Sequence, residues 1–185
     1  MSELGFNNDR YLAEQTEAIL ERVDRFEGKL YLEFGGKLTS DFHAARVLPG
    51  YDPDVKMRLL HGLRDQIEVV FCVYAGDLER GRIRGDFGMT YDLATLRALD
   101  DLRDWGISTS ALVLTRHGEG PVSERLTRQM QSKDIPGYPN DVEFVVSEQG
   151  YGQNPYVETD APIVVVTGTG PGSGKMSTSL CQLYH

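Results

Sequence analysis

The residues with the clearest chemical signature lie near the end of the chain, between an apolar run at 163–167 and a second run with helical spacing. They are three glycines, a serine and a lysine: Gly170, Gly172, Ser173, Gly174 and Lys175. Glycines let backbone N–H groups approach an anion closely, a new helix presents its positive end, and a lysine adds charge. The sequence therefore predicts a turn that binds phosphate.

The match to the G-x-x-x-x-G-K-[ST] phosphate-binding motif is incomplete. Thr169 stands at the first glycine position, and Met176 stands where a magnesium-binding hydroxyl belongs. Ser177 and Thr178 come one and two positions later, and we include both in the predicted anion site. The predicted ligand is ATP or another phosphate-bearing molecule, with or without magnesium. A turn with only a structural role is left open.

A second group of residues follows the first predicted strand and is predicted to help form the pocket. Gly35, Gly36 and Lys37 form a short turn there, with His43 and Arg46 nearby in the sequence. Glycine amides and cationic side chains are suited to holding an anion. A plain turn with solvated charges is the alternative.

Two further segments are weaker candidates. The polar run at 148–160 supplies Tyr151 and Asn154, which have groups suited to binding a ligand, and we place them at the pocket wall. Three arginines alternate with acidic residues in the next candidate segment, and they can reach a phosphate or remain solvated: Arg80, Arg82 and Arg84. No pattern of a nucleophile with a base appears, so catalytic residues are not assigned. The histidines lack metal-ligand spacing, and no metal site is predicted.

The elements that must position these residues alternate between helix and strand. Apolar spacing predicts an N-terminal helix at 8–27, then an α/β core at 29–185. Predicted strands cover 30–34, 67–75, 111–114, 142–146 and 162–167, with helices from 53, from 90 and over 121–133. Such alternation favours parallel pairing with right-handed crossovers. We expect a single domain with a three-layer, Rossmann-like parallel sheet of about five strands.

Composition excludes several classes of protein. The 185 residues carry a formal net charge of −9, whereas a nucleic-acid-binding domain generally has a basic face. The longest apolar runs are far shorter than the roughly 20 residues that cross a bilayer. The first residues lack a secretory pattern, and the two cysteines lack disulfide or zinc spacing. We therefore expect a cytoplasmic protein without nucleic-acid or membrane partners.

Five strings of the sequence together resemble a bacterial family catalogued as domain of unknown function 1846. They are KLYLEFGGKL at 29–38, HAARVLPG at 43–50, RGDFGMTYD at 84–92, and GPGSGK at 170–175 with QLYH at 182–185. The resemblance covers nearly the whole chain and names a family without an activity. Members of the family are much longer, so the resemblance implies that this chain is C-terminally truncated and is the front part of a multidomain protein.

The leading hypothesis is a protein that binds a nucleotide or phosphorylated small molecule at the carboxyl ends of the strands. The sequence does not decide whether it is an enzyme. The alternatives are a non-catalytic interaction or assembly module, which includes a homo-oligomer, and an inactive fragment of a longer enzyme.

Overall fold

The structure is a computed structural model that describes residues 5–35, 37–116, 128, 130–131, 135–140 and 151–185. The described helices are α1 (Asn8–Arg25), α2 (Phe42–Val47), α3 (Val55–Gly62), α4 (Ala75–Glu79), α5 (Tyr91–Asp104) and α6 (Lys175–Tyr184). The strands are β1 (Leu30–Glu33), β2 (Ile67–Tyr74), β3 (Ile83–Arg84), β4 (Met89–Thr90), β5 (Thr109–Thr115), β6 (Gly137–Asn140) and β7 (Ile163–Gly168).

Five of the described strands form one parallel sheet in the order β1-β7-β2-β5-β6. The last strand, β7, therefore lies between the first two, where Val165 pairs with both Leu32 and Val69. Parallel pairing brings the carboxyl ends of all five strands to one edge, which we name the carboxyl edge. The turn that follows β7 lies there between the ends of β1 and β2.

Apolar side chains cover both faces of this sheet. On one face Val69, Phe71 and Leu112 pack with side chains of α1, α3 and α5. On the other face Val70, Val113 and Val164 pack with Val157, and α6 contacts β7 and β1. A strand with two covered faces needs apolar residues at successive positions, which explains why β2 is apolar except at Glu68 and why β7 is apolar from Ile163 to Val166. The predicted three-layer α/β architecture is confirmed.

The boundaries of the predicted elements need small corrections. Helix α1 ends at Arg25, two residues before the predicted end, because Phe26 takes an extended conformation. The prolines and the glycine of residues 136–141 are typical of a loop, yet this segment includes strand β6, which pairs with β5. Pro139 is tolerated there because β6 is at the edge of the described sheet. The predicted strand at 142–146 and most of the predicted helix at 121–133 lie outside the described residues.

Candidate functional site

The site is built around the turn of residues 169–174, which we name the glycine-rich turn. Close packing around this turn requires glycine at two positions. A Cβ atom on Gly168 would lie 2.3 Å from the carbonyl oxygen of Cys72. Gly174 caps α6 in the left-handed conformation, with φ of 85°, and a Cβ there would lie 2.5 Å from Cγ2 of Thr115. The chain can turn sharply from strand to helix because these positions carry no side chain.

Hydrogen bonds from neighbouring strands fix the turn. The N–H of Thr169 donates to the carbonyl of Cys72 on β2 over 3.3 Å, and Oγ1 of Thr115 on β5 donates to the carbonyl of Ser173 over 2.9 Å. The helical bonds of α6 start with the N–H of Thr178, which donates to Gly174. The amides at the start of α6 have no partner within the helix, so its N-terminal end attracts anions.

A buried hydroxyl in the turn lacks a hydrogen-bond partner among the described residues. Ser173 is 2% exposed, and its Oγ lies inside the turn against Gly168. The Oγ of Ser177, in the first turn of α6, is likewise buried and unpartnered within the described part of the chain. A buried polar group left unpaired costs roughly 1–3 kcal/mol. An acceptor brought by a ligand would remove that cost.

Lys175 supplies the cation at this turn. Its Nζ donates to the carbonyl of Gly170 over 3.4 Å and lies 4.0 Å from Oε1 of Glu33, at the end of β1. The side chain is 13% exposed, so it is folded back along the turn and not extended into solvent. Lys175 is therefore positioned to neutralise an anion at the carboxyl edge.

The other hydroxyl in the predicted set has a different environment. Thr178 is fully buried, and its Oγ1 accepts a hydrogen bond from the thiol of Cys72 over 3.4 Å, so it packs α6 onto the sheet. Burial raises the pKa of Cys72 to about 12, despite that hydrogen bond and the charge of Lys175. The thiol is neutral near pH 7 and is not a nucleophile. Met176, at the position of the missing hydroxyl, is 67% exposed.

The segment after β1 approaches the same turn. Lys37 lines a small cavity of about 30 Å³ together with residues 167–170. Lys56 holds the segment in place, because its Nζ donates to the carbonyls of Gly35 and Lys37 and to Asp41. The predicted contribution of Lys37 to the pocket is compatible with this placement, whereas Gly36 lies outside the described residues.

The hairpin of β3 and β4 closes the other side of this cavity with Arg84 and Phe87. Asp86 at its tip forms ion pairs with Lys37 and Arg84, the latter over 2.9 Å. Burial by itself raises the pKa of Asp86, but the hydrogen bonds from Lys37 and Arg84 outweigh it and lower the pKa to about 2. The carboxylate therefore stays ionised at any ordinary pH.

Four residues of the predicted set do not meet at the turn. His43 and Arg46 are exposed on α2 and do not line the cavity. Tyr151 and Asn154 lie at the opposite end of α6, where Asn154 is buried and its side chain donates to Cys181. Cys181 is seven residues beyond Gly174, about 10 Å along the helix axis. The segment of Tyr151 precedes β7, so it is placed away from the carboxyl edge.

A larger groove of about 810 Å³ lies between α1 and α3. Its walls are apolar, with an acidic rim formed by Glu17, Glu21 and Asp24. Carboxylates repel phosphate groups, so this groove does not suit an anionic ligand.

Sequence reasoning missed two residues that shape the site and gave a third only a weak prediction. Thr115 and Glu33 end strands that are distant from Lys175 in the sequence, and no motif connects them with it. Arg84 is a weak candidate for contacting a phosphate, because its acidic neighbours favour a solvated role. The signal that would have found all three is their position at the ends of strands or just after them, combined with the strand order.

The fold and the turn define an α/β protein with a strand, glycine-rich turn and helix at the carboxyl edge of a parallel sheet. The chain belongs to the DUF1846 family, because the model of the N-terminal domain of unknown function DUF1846 matches residues 4–185. The resemblance seen in the sequence is thereby confirmed.

Relatives named UPF0371 proteins support this membership. The chain is 54% identical over 190 residues to such a protein from Clostridium botulinum strain Eklund 17B, and 54% identical to one from strain Alaska E43. It is 50% identical to one from strain ATCC 19397. Each match covers 98% of this chain and 38% of the relative, so the chain spans less than half the length of these curated relatives.

Two other predictions can be compared with the described residues. Within them, no helix is both long and apolar enough to cross a membrane. The same part of the chain contains no cluster of three or more potential metal ligands.

Proposed function

We propose that the chain binds a nucleotide or another phosphorylated small molecule at the glycine-rich turn. The observation that carries the proposal is the buried, unpartnered hydroxyl of Ser173, which lies in a turn that also presents Lys175 and the N-terminal end of α6. A phosphate oxygen would accept from this hydroxyl and from the free amides of the first helical turn.

Backbone hydrogen bonds occupy only part of the glycine-rich turn. Within the described residues, the N–H groups of Thr169 and Ser173 bond to protein carbonyls. A Cβ atom on Gly170 or Gly172 would meet nothing within 4 Å, so there is open space beside these two residues. An anion can therefore approach the backbone there.

The ligand class is ATP or a related phosphate-bearing molecule, with or without magnesium. Met176 has no hydroxyl and is exposed to solvent, so a magnesium-binding hydroxyl in this helix would have to come from Ser177. The site is part of a longer, multidomain protein in this proposal, and any reaction belongs to that whole protein. Cys72 and Cys181 are both buried as thiols and not as disulfides, which is compatible with a cytoplasmic location.

The test is a calorimetric titration of the chain with inorganic phosphate and with ATP, each with and without magnesium. Lys175→Ala should weaken phosphate binding at least about tenfold, because a hydrogen bond to a charged group contributes roughly 1.5–3 kcal/mol. Arg25→Ala is the matched control, since Arg25 is exposed at the end of α1 and precedes β1, away from the carboxyl edge. A change in affinity of less than about twofold for Lys175→Ala would exclude the proposed charge role.

An assembly module is the second candidate function, and one observation favours it. Four apolar residues on α6 are between 44% and 67% exposed: Met176, Leu180, Leu183 and Tyr184. Their spacing of three and four residues places them along one side of the helix. If this surface joins two copies of the chain, sedimentation should show a dimer that Leu183→Ser dissociates. A monomer at all concentrations would exclude a homo-oligomer formed by α6.

A further inference from the structure

The cavity beside the glycine-rich turn is lined by two cations that the turn itself does not need. Lys37 comes from the segment after β1, and Arg84 comes from the β3–β4 hairpin. The side chain of Arg84 is 11% exposed, and that of Lys37 is 30% exposed. A charge removed from water to this extent requires a partner of opposite sign.

Asp86 is the partner that the described residues provide. Its carboxylate accepts from Nη2 of Arg84 over 2.9 Å, from Nε over 3.2 Å, and also from Nζ of Lys37. The cationic groups of Lys37, Arg84 and Arg97 lie 5.1–5.5 Å from the ring centre of Phe87. Asp86 therefore serves both cavity cations, and Asp41, which also interacts with the charge of Lys37, is paired with Lys56, so the net charge beside the cavity remains positive.

Gly170 joins this cavity to the anion site at α6. Its carbonyl accepts from Nζ of Lys175, and the same residue lines the cavity with Lys37 and Arg84. Cations thus approach the turn from both faces of the sheet, with Gly170 between them. A single phosphate at the start of α6 would leave the second pair of cations unused.

We infer that the site binds a ligand with two linked phosphate groups, with one at the start of α6 and Lys175 and the second on Lys37 and Arg84. This inference rests on the proposed function and narrows its ligand class to diphosphates and longer phosphate chains. An isolated phosphate monoester would use only half of the site.

Asp86 occupies the place of the second phosphate in the structure. A cavity of about 30 Å³ has room for one or two water molecules and not for a phosphate group. Arg84 presents its Nε and Nη2 to Asp86, so a phosphate must displace this carboxylate to make the same bidentate contact. The tip of the hairpin therefore withdraws when the second phosphate binds.

The experiment compares the affinities of the chain for inorganic orthophosphate and pyrophosphate at fixed ionic strength. Arg84→Gln should lower the affinity for pyrophosphate at least about tenfold and change the affinity for orthophosphate by less than about twofold. Asp86→Asn should tighten pyrophosphate alone, because the competing carboxylate is lost. Arg82→Gln is the matched control, since Arg82 is two residues away, 60% exposed and paired with Asp77. It should leave both affinities unchanged.

The outcomes separate this inference from the proposed function. Suppose that orthophosphate binding depends on Lys175, but Arg84→Gln lowers the affinities for both anions equally or lowers neither. The site then binds one phosphate group, and the inference is wrong. If neither anion binds the unmodified chain, the proposed function itself fails. Lys37→Gln should reproduce the selective loss of pyrophosphate affinity, and it replaces Arg84→Gln if that variant does not fold. ADP against AMP repeats the comparison for a nucleotide source of the two phosphates.

Discussion

Alanine substitutions along the glycine-rich turn should differ in a graded way, because each glycine has a different reason to lack a side chain. Gly170 has open space and no left-handed φ, Gly172 has open space with φ of 78°, and Gly174 has φ of 85° together with a close neighbour. The three variants therefore separate backbone strain from steric contact within one short segment.

The expected free energies of unfolding follow from these facts. Gly170→Ala should be neutral or stabilising by about 0.4–1 kcal/mol, because it reduces the entropy of the unfolded chain. Gly172→Ala should lose about 1 kcal/mol from the left-handed backbone. Gly174→Ala adds a contact of 2.5 Å with Cγ2 of Thr115, and overpacking of this kind costs about 1–3 kcal/mol. Thr115 cannot rotate freely, because its hydroxyl donates to the carbonyl of Ser173 over 2.9 Å and lies 3.3 Å from the carbonyl of Val73.

Thermal unfolding followed by circular dichroism measures the series. At roughly 2–4 °C per kcal/mol for a chain of this size, Gly172→Ala should lower the Tm by about 2–4 °C and Gly174→Ala, with a total loss of about 2–4 kcal/mol, by about 4–16 °C. In a Thr115→Ala background the effect of Gly174→Ala should shrink, because the contacting methyl group is gone. The reasoning is refuted if Gly174→Ala is no worse than Gly172→Ala, or if Thr115→Ala does not reduce its effect.

Three further substitutions or conditions test other contacts. Lys56→Ala should lower the free energy of unfolding by about 3 kcal/mol, measured by urea denaturation, because it leaves the nearly buried Asp41 unpaired. The thiols of Cys72 and Cys181 are buried and should not react with a thiol reagent at pH 8 in the native chain, whereas urea should expose both. The pKa of Asp86 is held at about 2, so its ion pairs should stabilise the chain above about pH 4 and be lost as the pH falls toward 2.

Each of these has its own control. Arg58→Ala removes a more exposed ion pair with Asp52 and should cost less than about 1 kcal/mol, so an equal loss for both lysine and arginine variants would contradict the burial argument. Rapid reaction of a native Cys72→Ser variant with the thiol reagent would contradict the prediction, because it would show that Cys181 is accessible. Asp86→Asn should reduce the loss of unfolding free energy at acid pH by about 1 kcal/mol, a value that allows for screening by solvent. An unchanged dependence of the unfolding free energy on pH would exclude Asp86 as a stabilising group.

The sequence predicts the architecture well where a single chain segment determines the structure. The apolar runs of β2 and β7 require two covered faces, so their length and type follow from local pattern. Strand β6 does not follow from such a pattern, because Pro139 and Gly137 are disfavoured in a strand. Its pairing with β5 depends on an edge position that only the assembled sheet provides.

The site divides in the same way between local and assembled features. Gly174 and Lys175 are recognisable because strand, turn and helix are consecutive in the chain. The sequence predicts that Asn154 lies at the pocket wall, because it follows a predicted strand, yet its segment leads into β7 and lies beside the far end of α6. Proximity in sequence to a predicted strand does not establish which edge of the sheet a segment occupies.

Strand order decides which distant cations can act together. Because β7 enters between β1 and β2, the glycine-rich turn lies between the segments that follow those two strands. Lys37 follows β1, and Arg84 follows β2 after the short helix α4. Had β7 been added outside β6, the turn would lie three strand spacings from the end of β2 and four from the end of β1, at about 4.8 Å each. The insertion of the last strand is therefore what brings three separated segments together at the proposed anion site.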